Sequence, residues 1–363
     1  NARREDMTRP SILVMAGGTG GHIFPGLAVA EYLRICGWKV SWLGNRDGME
    51  YRLVKSCDFP FESVEFGGLR GKGLKAKLLL PINLMRACIQ SWNIMRRLNP
   101  NVVLGMGGYI TFPGGLVTKL LKRPLVLHES NSVAGSANRA LAKIAMRILT
   151  GFPNTMKSAE WVGNPIREEF DHVPSPAHRY EERQGPLSIL VVGGSLGAAA
   201  LNEDVPAALA LIPIENRPKV IHQAGDKHIV DLQNRYAQLG VVADIRPFID
   251  DMPSAYAQAD LVICRSGAMT VSELAACGVA SCLVPFPHAI DDHQTANAHF
   301  LSDADAAILL PQSKLNPQDL AMMIQNMNRS DLKAMALRAH ALSKPKATQR
   351  VAEVCANCAG VGI

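Results

Sequence analysis

Two kinds of hydrophobic pattern alternate along this 363-residue chain. Short runs of aliphatic and β-branched residues are followed by longer segments in which apolar residues recur at helical spacing. This alternation predicts parallel strands joined by crossover helices. A polar stretch without periodicity, residues 171–186, divides the runs into two series. The first series predicts strands at residues 11–16, 40–43, 102–104, 125–128 and 147–149, and the second at 188–192, 219–222, 244–247, 261–264, 281–284 and 307–309.

The two series predict two domains of one architecture. A chain of this length exceeds a single compact core, and each series contains enough strands for its own parallel sheet. We therefore expect an α/β protein with two facing Rossmann-like domains and a deep cleft between them. We place a hinge near residues 163–165, so that the first domain covers 7–163 and the second covers 164–344. A last helix is predicted over 345–359, and we assign residues 345–363 to the first domain.

Each series opens with a strand that runs into a glycine-rich turn and then a helix. The first turn reads Gly-Gly-Thr-Gly-Gly-His at residues 17–22, and the second reads Gly-Gly-Ser-Leu-Gly at 193–197. Such a turn directs free backbone N–H groups at an anion, and glycine permits the close approach. The first turn fails the dinucleotide fingerprint, because Ile23 stands where its third glycine would be. The absence of a GxxxxGKS or GxxxxGKT motif excludes a P-loop kinase.

His22 stands where the first turn becomes a helix. One interpretation is a helix-start residue that hydrogen-bonds to the turn. The other is a catalytic residue, since it follows a strand end that faces the predicted cleft. An imidazole with its ordinary pKa near 6.5 accepts a hydroxyl proton at neutral pH, and the positive end of the helix helps to keep the ring neutral. We favour the catalytic interpretation.

The segment after the predicted strand 261–264 allows two interpretations of Glu273. Thr270 and Glu273 have the spacing of a capping box, in which the two side chains only close the start of a helix. Alternatively, the Glu273 carboxylate accepts hydrogen bonds from the two hydroxyls of a ribose. The spacing alone does not choose between them.

A second polar segment, residues 285–297, joins a strand to a helix. Side chains such as Gln294 and Asn297 suit sugar hydroxyls, although an ordinary surface helix also begins with polar residues. Asp303 and Asp305 have the spacing of a metal-dependent sugar-nucleotide site. They lack neighbouring ligands, and we interpret them as loop residues.

Positive charge is concentrated in the first half of the chain. The net charge is +6, and no Asp or Glu occurs between Glu65 and Glu129. The cations of that interval are Arg70, Lys72, Lys75, Lys77, Arg86, Arg96, Arg97, Lys119, Lys122 and Arg123. Such a region favours an anionic partner. The apolar residues between the cations are leucines rather than stacking aromatics, which favours a membrane surface over nucleic acid.

Two apolar groups in this region have different predicted roles. Leucines interleaved with cations predict reversible docking to a membrane, because each cation near an anionic leaflet contributes about 1 kcal/mol. That membrane-binding set comprises Arg70, Lys72, Leu74, Lys75, Leu79 and Leu80. The other group recurs at helical spacing, and we expect it in the core. This stripe comprises Leu78, Ile82, Met85, Ile89 and Trp92.

Composition narrows the class further. Hydrophobic residues make up 48% and charged residues 19% of the chain, which excludes disorder over most of its length. No apolar run approaches the roughly 18–20 residues of a membrane-spanning helix, and no signal-peptide pattern follows the basic start. The eight cysteines are scattered, as in a reducing compartment. We therefore expect a cytoplasmic protein that lies peripherally on the inner face of the cell membrane.

Together these motifs resemble the MurG family of glycosyltransferases. The resemblance covers nearly the whole chain and rests on segments at residues 16–22, 68–73, 105–109, 128–131, 163–167, 193–195, 248–252 and 264–268. It implies a GT-B fold, an inverting mechanism and no required metal or other cofactor. The implied substrates are UDP-N-acetylglucosamine and lipid I, which is undecaprenyl-diphospho-N-acetylmuramyl-pentapeptide. The implied product is lipid II, a precursor of peptidoglycan.

The resemblance also implies roles for individual residues. Its donor set comprises Thr19, Gly20, Gly21, Asn131, Arg167, Ser195, Phe248, Ile249, Ala268, Met269, Glu273, Gln294 and Asn297. Within that set, Ser195 would hold the diphosphate, Ile249 would contact uracil through its backbone, and Glu273 would bind the ribose. Its acceptor set comprises Gly17, Gly18, Thr19, Gly107, Gly108 and Tyr109, with His22 as the catalytic base. Some members carry Gln where this chain has Ser130 and His293, so a donor contact by His293 is not implied.

The reaction expected from these roles is a single displacement. The muramyl C4 hydroxyl attacks the anomeric carbon of the donor, His22 accepts the proton, and UDP leaves with its charge held by Ser195 and the second glycine turn. Two alternatives stay open: another UDP-sugar glycolipid transferase of the same fold, and a non-catalytic nucleotide-sugar or membrane-surface binding protein. The expected partners are the two substrates, an anionic membrane surface and other cell-wall synthesis proteins, without nucleic acid.

Overall fold

The computed structural model describes residues 9–67, 78–194 and 197–363. The described chain divides into two compact units. The first unit runs to Arg167 and includes Lys346–Ile363, and the second unit is Glu168–Pro345. Each unit contains one parallel sheet, which confirms the two series of strands predicted from the hydrophobic pattern.

The sheet of the first unit has seven strands among the described residues. They are β1 (Ser11–Ala16), β2 (Lys39–Gly44), β3 (Phe61–Ser63), β4 (Val102–Gly107), β5 (Leu125–Glu129), β6 (Arg147–Thr150) and β7 (Glu160–Trp161). Their order is β3-β2-β1-β4-β5-β6-β7, and all paired neighbours are parallel. The chain reverses its direction of travel across the sheet between β1 and β4. Such a reversal opens a crevice at the carboxyl ends of the two strands, where α/β proteins bind ligands.

Both faces of this sheet are buried. Ile12 and Val14 pack on one face with Trp42, whereas Leu13 and Met15 pack on the other. Helices cover the two faces, as a parallel sheet requires. Those that lie between the strands are α1 (Gly20–Ile35), α2 (Met49–Ser56), α3 (Leu80–Leu98), α4 (Thr111–Leu120) and α5 (Ser136–Leu141).

The sheet of the second unit has six strands among the residues described. They are β8 (Ser188–Val192), β9 (Lys219–Gln223), β10 (Asp244–Arg246), β11 (Leu261–Cys264), β12 (Ala280–Leu283) and β13 (Ile308–Leu309). Their order is β10-β9-β8-β11-β12-β13, again with parallel neighbours. The reversal here lies between β8 and β11, so the second glycine turn stands at the second crevice.

The helices of the second unit follow the same alternation. They are α6 (Pro176–Glu181), α7 (Ala199–Leu211), α8 (Ile229–Gln238), α9 (Met252–Gln258), α10 (Ala268–Cys277), α11 (His293–Ser302), α12 (Pro317–Asn326) and α13 (Arg329–Ala341). The last helix, α14 (Ala347–Ala359), returns to the first unit. Its buried residues Val351, Ala352 and Cys355 belong to the same core cluster as Ile23 and Val29 of α1.

A buried ion-pair network closes the amino-terminal edge of the second sheet. Asp260 is fully buried, and its carboxylate accepts hydrogen bonds from Arg183 at 2.7 Å, from the Ser188 N–H at 2.8 Å and from Arg329 at 3.1 Å. Burial alone would raise the pKa of Asp260, but these hydrogen bonds outweigh it and hold that pKa below its ordinary value of 3.8. The carboxylate therefore stays charged and ties three chain segments together.

The structure corrects the prediction for the polar stretch 171–186. Instead of being irregular throughout, it contains α6, which is held by its own polar side chains. The buried guanidinium of Arg179 donates to the carbonyl oxygens of Cys277 and Gly278, and the Tyr180 hydroxyl donates to that of Asp260. These hydrogen-bond partners are far from α6 in the sequence, and α6 has no apolar periodicity from which a helix could be predicted. The short strands β3 and β7 escaped prediction because neither contains a run of β-branched residues.

The apolar stripe on α3 is a second correction. Leu78, Ile82, Met85 and Ile89, predicted in the core, are 71%, 58%, 60% and 55% exposed. Trp92, the fifth predicted residue, is half-buried and packs against the core, as predicted. The fully buried face of the helix carries Ala87, Ser91, Ile94 and Met95. The exposed residues therefore form an apolar surface, called here the α3 stripe. Within the described residues, the structure contains no helix that is both long and apolar enough to cross a membrane.

Candidate active site

The first glycine turn joins β1 to α1 and lies against the end of β4. The Gly17 N–H donates to the Gly107 carbonyl at 3.4 Å. Gly108 has a φ of +92°, and a Cβ on it would overlap the Gly17 carbonyl oxygen. Only glycine permits this approach. The structure thus brings Gly17, Gly18, Gly107 and Gly108 of the predicted acceptor set together at the first crevice.

The His22 ring contacts the first glycine turn and lies beside Gly107. Its Nδ1 lies 3.3 Å from the Gly17 carbonyl oxygen and 3.4 Å from Thr19 Oγ1. A carbonyl oxygen only accepts, so a hydrogen bond between these two atoms requires the ring proton on Nδ1. A Cβ on Gly107 would come within 2.8 Å of His22 Cδ2 and 2.9 Å of Nε2. The two interpretations of His22 are therefore compatible, because a hydrogen bond to the turn would orient the imidazole of a base.

The remaining predicted residues of this turn begin the helix. Thr19 is the N-cap of α1, and Gly20 and Gly21 occupy its first turn. N–H groups in the first turn of a helix have no partner within that helix, which suits them to an anion. Tyr109 follows the second glycine segment with a partly exposed side chain.

Asn131 is anchored by a carboxylate at the end of β5. The buried Glu129 accepts from the Asn131 N–H at 3.0 Å, from the Gly135 N–H at 3.0 Å and from Asn138 Nδ2 at 2.8 Å. This arrangement fixes the loop from which Asn131 projects. Burial also lowers the pKa of the neighbouring His128, and its Nε2 lies 2.9 Å from the Gly163 carbonyl. His128 is therefore a neutral structural side chain at neutral pH.

Sequence reasoning missed Glu50, which supports the first glycine turn. This carboxylate is buried on α2, where its oxygens accept from the Asn45 N–H at 2.9 Å and the Gly18 N–H at 3.4 Å. A Cβ on Gly17 would lie 2.6 Å from Glu50 Oε1. Glu50 belongs to no motif and contacts the turn from more than 30 residues away in sequence. The only sequence signal is an acidic residue near the end of the second strand.

The second glycine turn follows β8 in the second unit. Gly194 and Gly197 have φ values of +90° and +77°. A Cβ on Gly197 would overlap the Ala224 carbonyl oxygen at the end of β9, so the turn packs tightly on the neighbouring strand. Ser195, the predicted diphosphate ligand, lies outside the described residues.

The predicted uracil contacts follow β10 at the same edge of the sheet. Phe248 is about half exposed and Ile249 is buried. The Ile249 N–H donates to Gln223 Oε1 at 3.0 Å, and Gln223 Nε2 donates to the Gly194 carbonyl at 2.9 Å. Sequence reasoning did not single out Gln223, which is the last residue of β9.

The structure removes the capping-box interpretation of Glu273. The N-cap of α10 is Gly267, so Thr270 already lies inside the helix and cannot close its start. Glu273 is half-buried in the next turn, where the Tyr256 hydroxyl lies 3.5 Å from its Oε2. Burial raises the pKa of Tyr256, so the hydroxyl keeps its proton and can donate to the carboxylate. Ala268 and Met269 form the first turn of the same helix.

Two of the predicted sugar-binding residues, Gln294 and Asn297, are both hydrogen-bonded to Ser266. Gln294 Oε1 accepts from the Phe286 N–H at 2.9 Å, and the Gln294 carbonyl accepts from Ser266 Oγ at 2.8 Å. Asn297 is fully buried and donates to the Ser266 carbonyl at 3.2 Å. These bonds connect the start of α11 to the loop before α10. Gln294 is half-buried, so it presents its amide more openly than Asn297 does.

Three further predictions concern residues elsewhere. Arg167 is exposed at the end of the first unit. Leu79 is exposed and Leu80 is half-buried at the start of α3, whereas Arg70, Lys72, Leu74 and Lys75 lie outside the described residues. Asp303 pairs with His299 at 2.8 Å after the end of α11, in agreement with a loop role.

Two family models match the chain, one for each sheet. Residues 12–150 match the N-terminal domain of glycosyltransferase family 28, and residues 188–351 match the C-terminal domain of that family. Each match begins at the strand that leads into a glycine turn.

Curated relatives match almost the whole chain. The UDP-N-acetylglucosamine--N-acetylmuramyl-(pentapeptide) pyrophosphoryl-undecaprenol N-acetylglucosamine transferase of Polynucleobacter asymbioticus is 85% identical over 357 residues, which cover 98% of this chain and 100% of that protein. The protein of the same name from Cupriavidus necator is 62% identical over 354 residues, 97% of this chain and 99% of the relative.

Solved structures agree with these matches. The crystal structure of Acinetobacter baumannii MurG has a TM-score of 0.85 and 40% identity, covering 95% of this chain and 99% of that one. The crystal structure of CalG4, the calicheamicin glycosyltransferase, has a TM-score of 0.67 and 15% identity, and the match covers 98% of this chain and 99% of CalG4. At this identity, the likeness shows only that the fold is shared. The paired sheets and glycine turns thus define a glycosyltransferase of the GT-B fold. The chain belongs to the MurG family.

Proposed function

We propose that this protein transfers N-acetylglucosamine from UDP-N-acetylglucosamine to the C4 hydroxyl of the muramyl sugar of lipid I, with inversion at the anomeric carbon. The product is lipid II, and the reaction serves peptidoglycan synthesis. The relatives named above are transferases of this donor sugar to this acceptor. The observation that carries the assignment to this chain's own residues is the His22 ring at the first glycine turn, with Nδ1 3.3 Å from the Gly17 carbonyl oxygen.

The chemical step is one displacement. The acceptor C4 oxygen forms a bond to the donor C1, the bond from C1 to the UDP oxygen breaks, and the hydroxyl proton passes to His22 Nε2. A base must be neutral before it accepts a proton, and the Nδ1 hydrogen bond gives the tautomer that this role needs. Removal of the imidazole in His22→Ala should therefore reduce kcat by about 10²- to 10⁴-fold. Turnover equal to that of the wild type would rule out His22 as the base.

The donor binds mainly to the second unit. The second glycine turn and Ser195 hold the diphosphate, Phe248 and Ile249 contact uracil, and Glu273 accepts from the ribose hydroxyls. The exclusion of the capping box supports this role for Glu273, because the carboxylate is not needed to close α10. Gln294, the Ala268–Met269 backbone and Asn297 surround the sugar. From the first unit, Asn131, Arg167 and the Thr19–Gly21 turn complete the donor set. Backbone amides and the helix N-terminus stabilise the charge on departing UDP without a metal.

The acceptor binds to the first unit and reaches it from a membrane surface. Gly17, Gly18, Thr19, Gly107 and Gly108 cradle its diphosphate, and Tyr109 contacts the acceptor. The α3 stripe supports docking, because three large apolar side chains are exposed on α3 and that of Leu78 is exposed just before it. The surrounding sequence, residues 66–128, holds no acid. Arg70, Lys72, Leu74, Lys75, Leu79 and Leu80 complete this surface, and cations near an anionic leaflet contribute about 1 kcal/mol each.

The first test is acceptor-dependent UDP release by purified protein. A short-tailed analogue of lipid I serves as the acceptor, and UDP-N-acetylglucosamine, UDP-glucose and UDP-galactose serve as donors. Release that requires the acceptor and prefers UDP-N-acetylglucosamine supports the proposal. Preference for another donor would instead indicate a different glycolipid transferase of the same fold. Donor binding without any release would favour a binding protein.

A further inference from the structure

Gln223 connects two parts of the donor site through one buried side chain. It is 2% exposed at the carboxyl end of β9, the strand that lies between β8 and β10. Its Nε2 donates to the carbonyl of Gly194 at 2.9 Å, and its Oε1 accepts from the N–H of Ile249 at 3.0 Å. Both ends of the amide are therefore used, and each end meets a different loop.

The residues after Gln223 reinforce the same connection. The Ala224 N–H donates to the Arg246 carbonyl at 2.8 Å, and the Gly225 N–H donates to the Pro247 carbonyl at 3.1 Å. On the other side, the Ala224 carbonyl accepts from Asn202 Nδ2 at 3.2 Å. The turn at the end of β9 thus lies between the glycine turn after β8 and the segment after β10. Gln223 is the member of this turn that contacts both through its side chain.

We propose that Gln223 is a positioning residue that couples the diphosphate-binding turn to the uracil-binding segment of the donor site. The inference rests on the proposed function, because it requires the donor to bind at the second crevice. The distance between uracil and diphosphate is fixed within a nucleotide. A side chain that fixes the spacing of the two loops therefore prepares both contacts before the donor arrives, which lowers the ordering cost of binding.

The chemistry of the two contacts requires an amide. Gly194 offers a carbonyl oxygen, which needs a donor, and Ile249 offers an N–H, which needs an acceptor. Glutamate would place a buried carboxylate oxygen against the Gly194 carbonyl. Methionine has a similar length but cannot donate and accepts only weakly. A buried backbone group that loses its partner is costly, so each variant should disturb the loops it can no longer hold.

The direct test is calorimetric binding of UDP to the full-length Gln223→Met and Gln223→Glu variants. We expect affinity to fall roughly 10- to 100-fold for Gln223→Met and further for Gln223→Glu. In steady-state assays, the KM for UDP-N-acetylglucosamine should rise and kcat should fall, because the disturbed turn also stabilises the charge on departing UDP. The KM for the acceptor should stay close to wild type. The preference for UDP over CDP should also fall, because the uracil segment is no longer held in place.

Tyr180→Phe is the matched control. It also removes one buried hydrogen bond to a backbone carbonyl in the second unit, but at the opposite edge of the sheet. We expect it to lower Tm without changing UDP affinity or base preference. Wild-type UDP affinity in Gln223→Met would overturn the inference, as would an equal loss of UDP and CDP binding that tracks Tm. Failure of the wild type to bind UDP would instead contradict the proposed function.

Discussion

Replacing Gly107 by alanine should slow the reaction by displacing the His22 ring. The structure gives Gly107 a φ of +117°, a region that alanine rarely adopts. It also places the new methyl 2.8 Å from His22 Cδ2 and 2.9 Å from Nε2. Ordinary carbon contacts lie near 3.5–4.0 Å. The ring must therefore move by a substantial fraction of an ångström, or the loop must distort.

Two effects of different size follow from this contact. The backbone conformation costs of order 1–3 kcal/mol of stability, whatever the surroundings. The displacement of the imidazole acts on catalysis, where a misplacement of about 1 Å can reduce the rate by roughly 10²-fold. We therefore expect kcat to fall by about 10- to 100-fold in Gly107→Ala, while the KM for UDP-N-acetylglucosamine changes little.

Gly37→Ala is the matched control for this prediction. Gly37 also has a left-handed φ, +86°, but a Cβ there would meet nothing within 4 Å. Both variants should lower Tm, and only Gly107→Ala should lower kcat. The assay is UDP release at saturating donor and acceptor, well below the Tm of either variant. Equal kcat values for Gly107→Ala and wild type would refute the proposed contact between Gly107 and a catalytic His22.

Three further predictions test other parts of the structure. Asp260→Asn should destabilise the second unit by about 3 kcal/mol at pH 7, because the half-buried Arg183 and Arg329 lose the buried carboxylate that they share. The pKa of Asp260 in the folded protein lies below 3.8, so the stability that its charge contributes is complete above pH 3.8. As the pH falls further, the unfolding free energies of the variant and the wild type should approach each other. Glu50→Gln should raise the KM for the acceptor more than that for the donor; a change confined to the donor would contradict the assigned role of the first glycine turn. Combined Ile82→Ser and Met85→Ser substitutions should reduce the fraction of protein that sediments with anionic vesicles. The control is Ile214→Ser, at a residue 78% exposed in the second unit, which should not reduce that fraction. An equal reduction in both variants would argue against docking through the α3 stripe.

The strands and glycine turns were predictable because their signals are local. A buried parallel strand is a short aliphatic run, and a turn that approaches an anion or another backbone needs glycine. Residues 11–16, 188–192 and 261–264 were predicted with the bounds that the structure gives them. Glu50 and Gln223 were not predictable in this way. Each acts on a loop 26 or more residues away, and neither belongs to a pattern that its neighbours reveal.

The α3 stripe shows a different limit. The helix carries two apolar faces, and helical spacing identifies both without ranking them. The face with Ala87, Ser91, Ile94 and Met95 is the one that packs. A count of apolar residues favours the other face, because this one includes a serine.

The most direct test of the central claim is the structure of the reaction product. Purified protein is incubated with UDP-N-acetylglucosamine and a short-tailed lipid I analogue, with and without EDTA, and the product is analysed by mass spectrometry and NMR. We expect an acceptor heavier by one N-acetylhexosamine, joined through a β linkage to the muramyl C4 oxygen, in equal yield under both conditions. An α linkage, attachment at another oxygen or loss of product with EDTA would contradict a metal-independent single displacement.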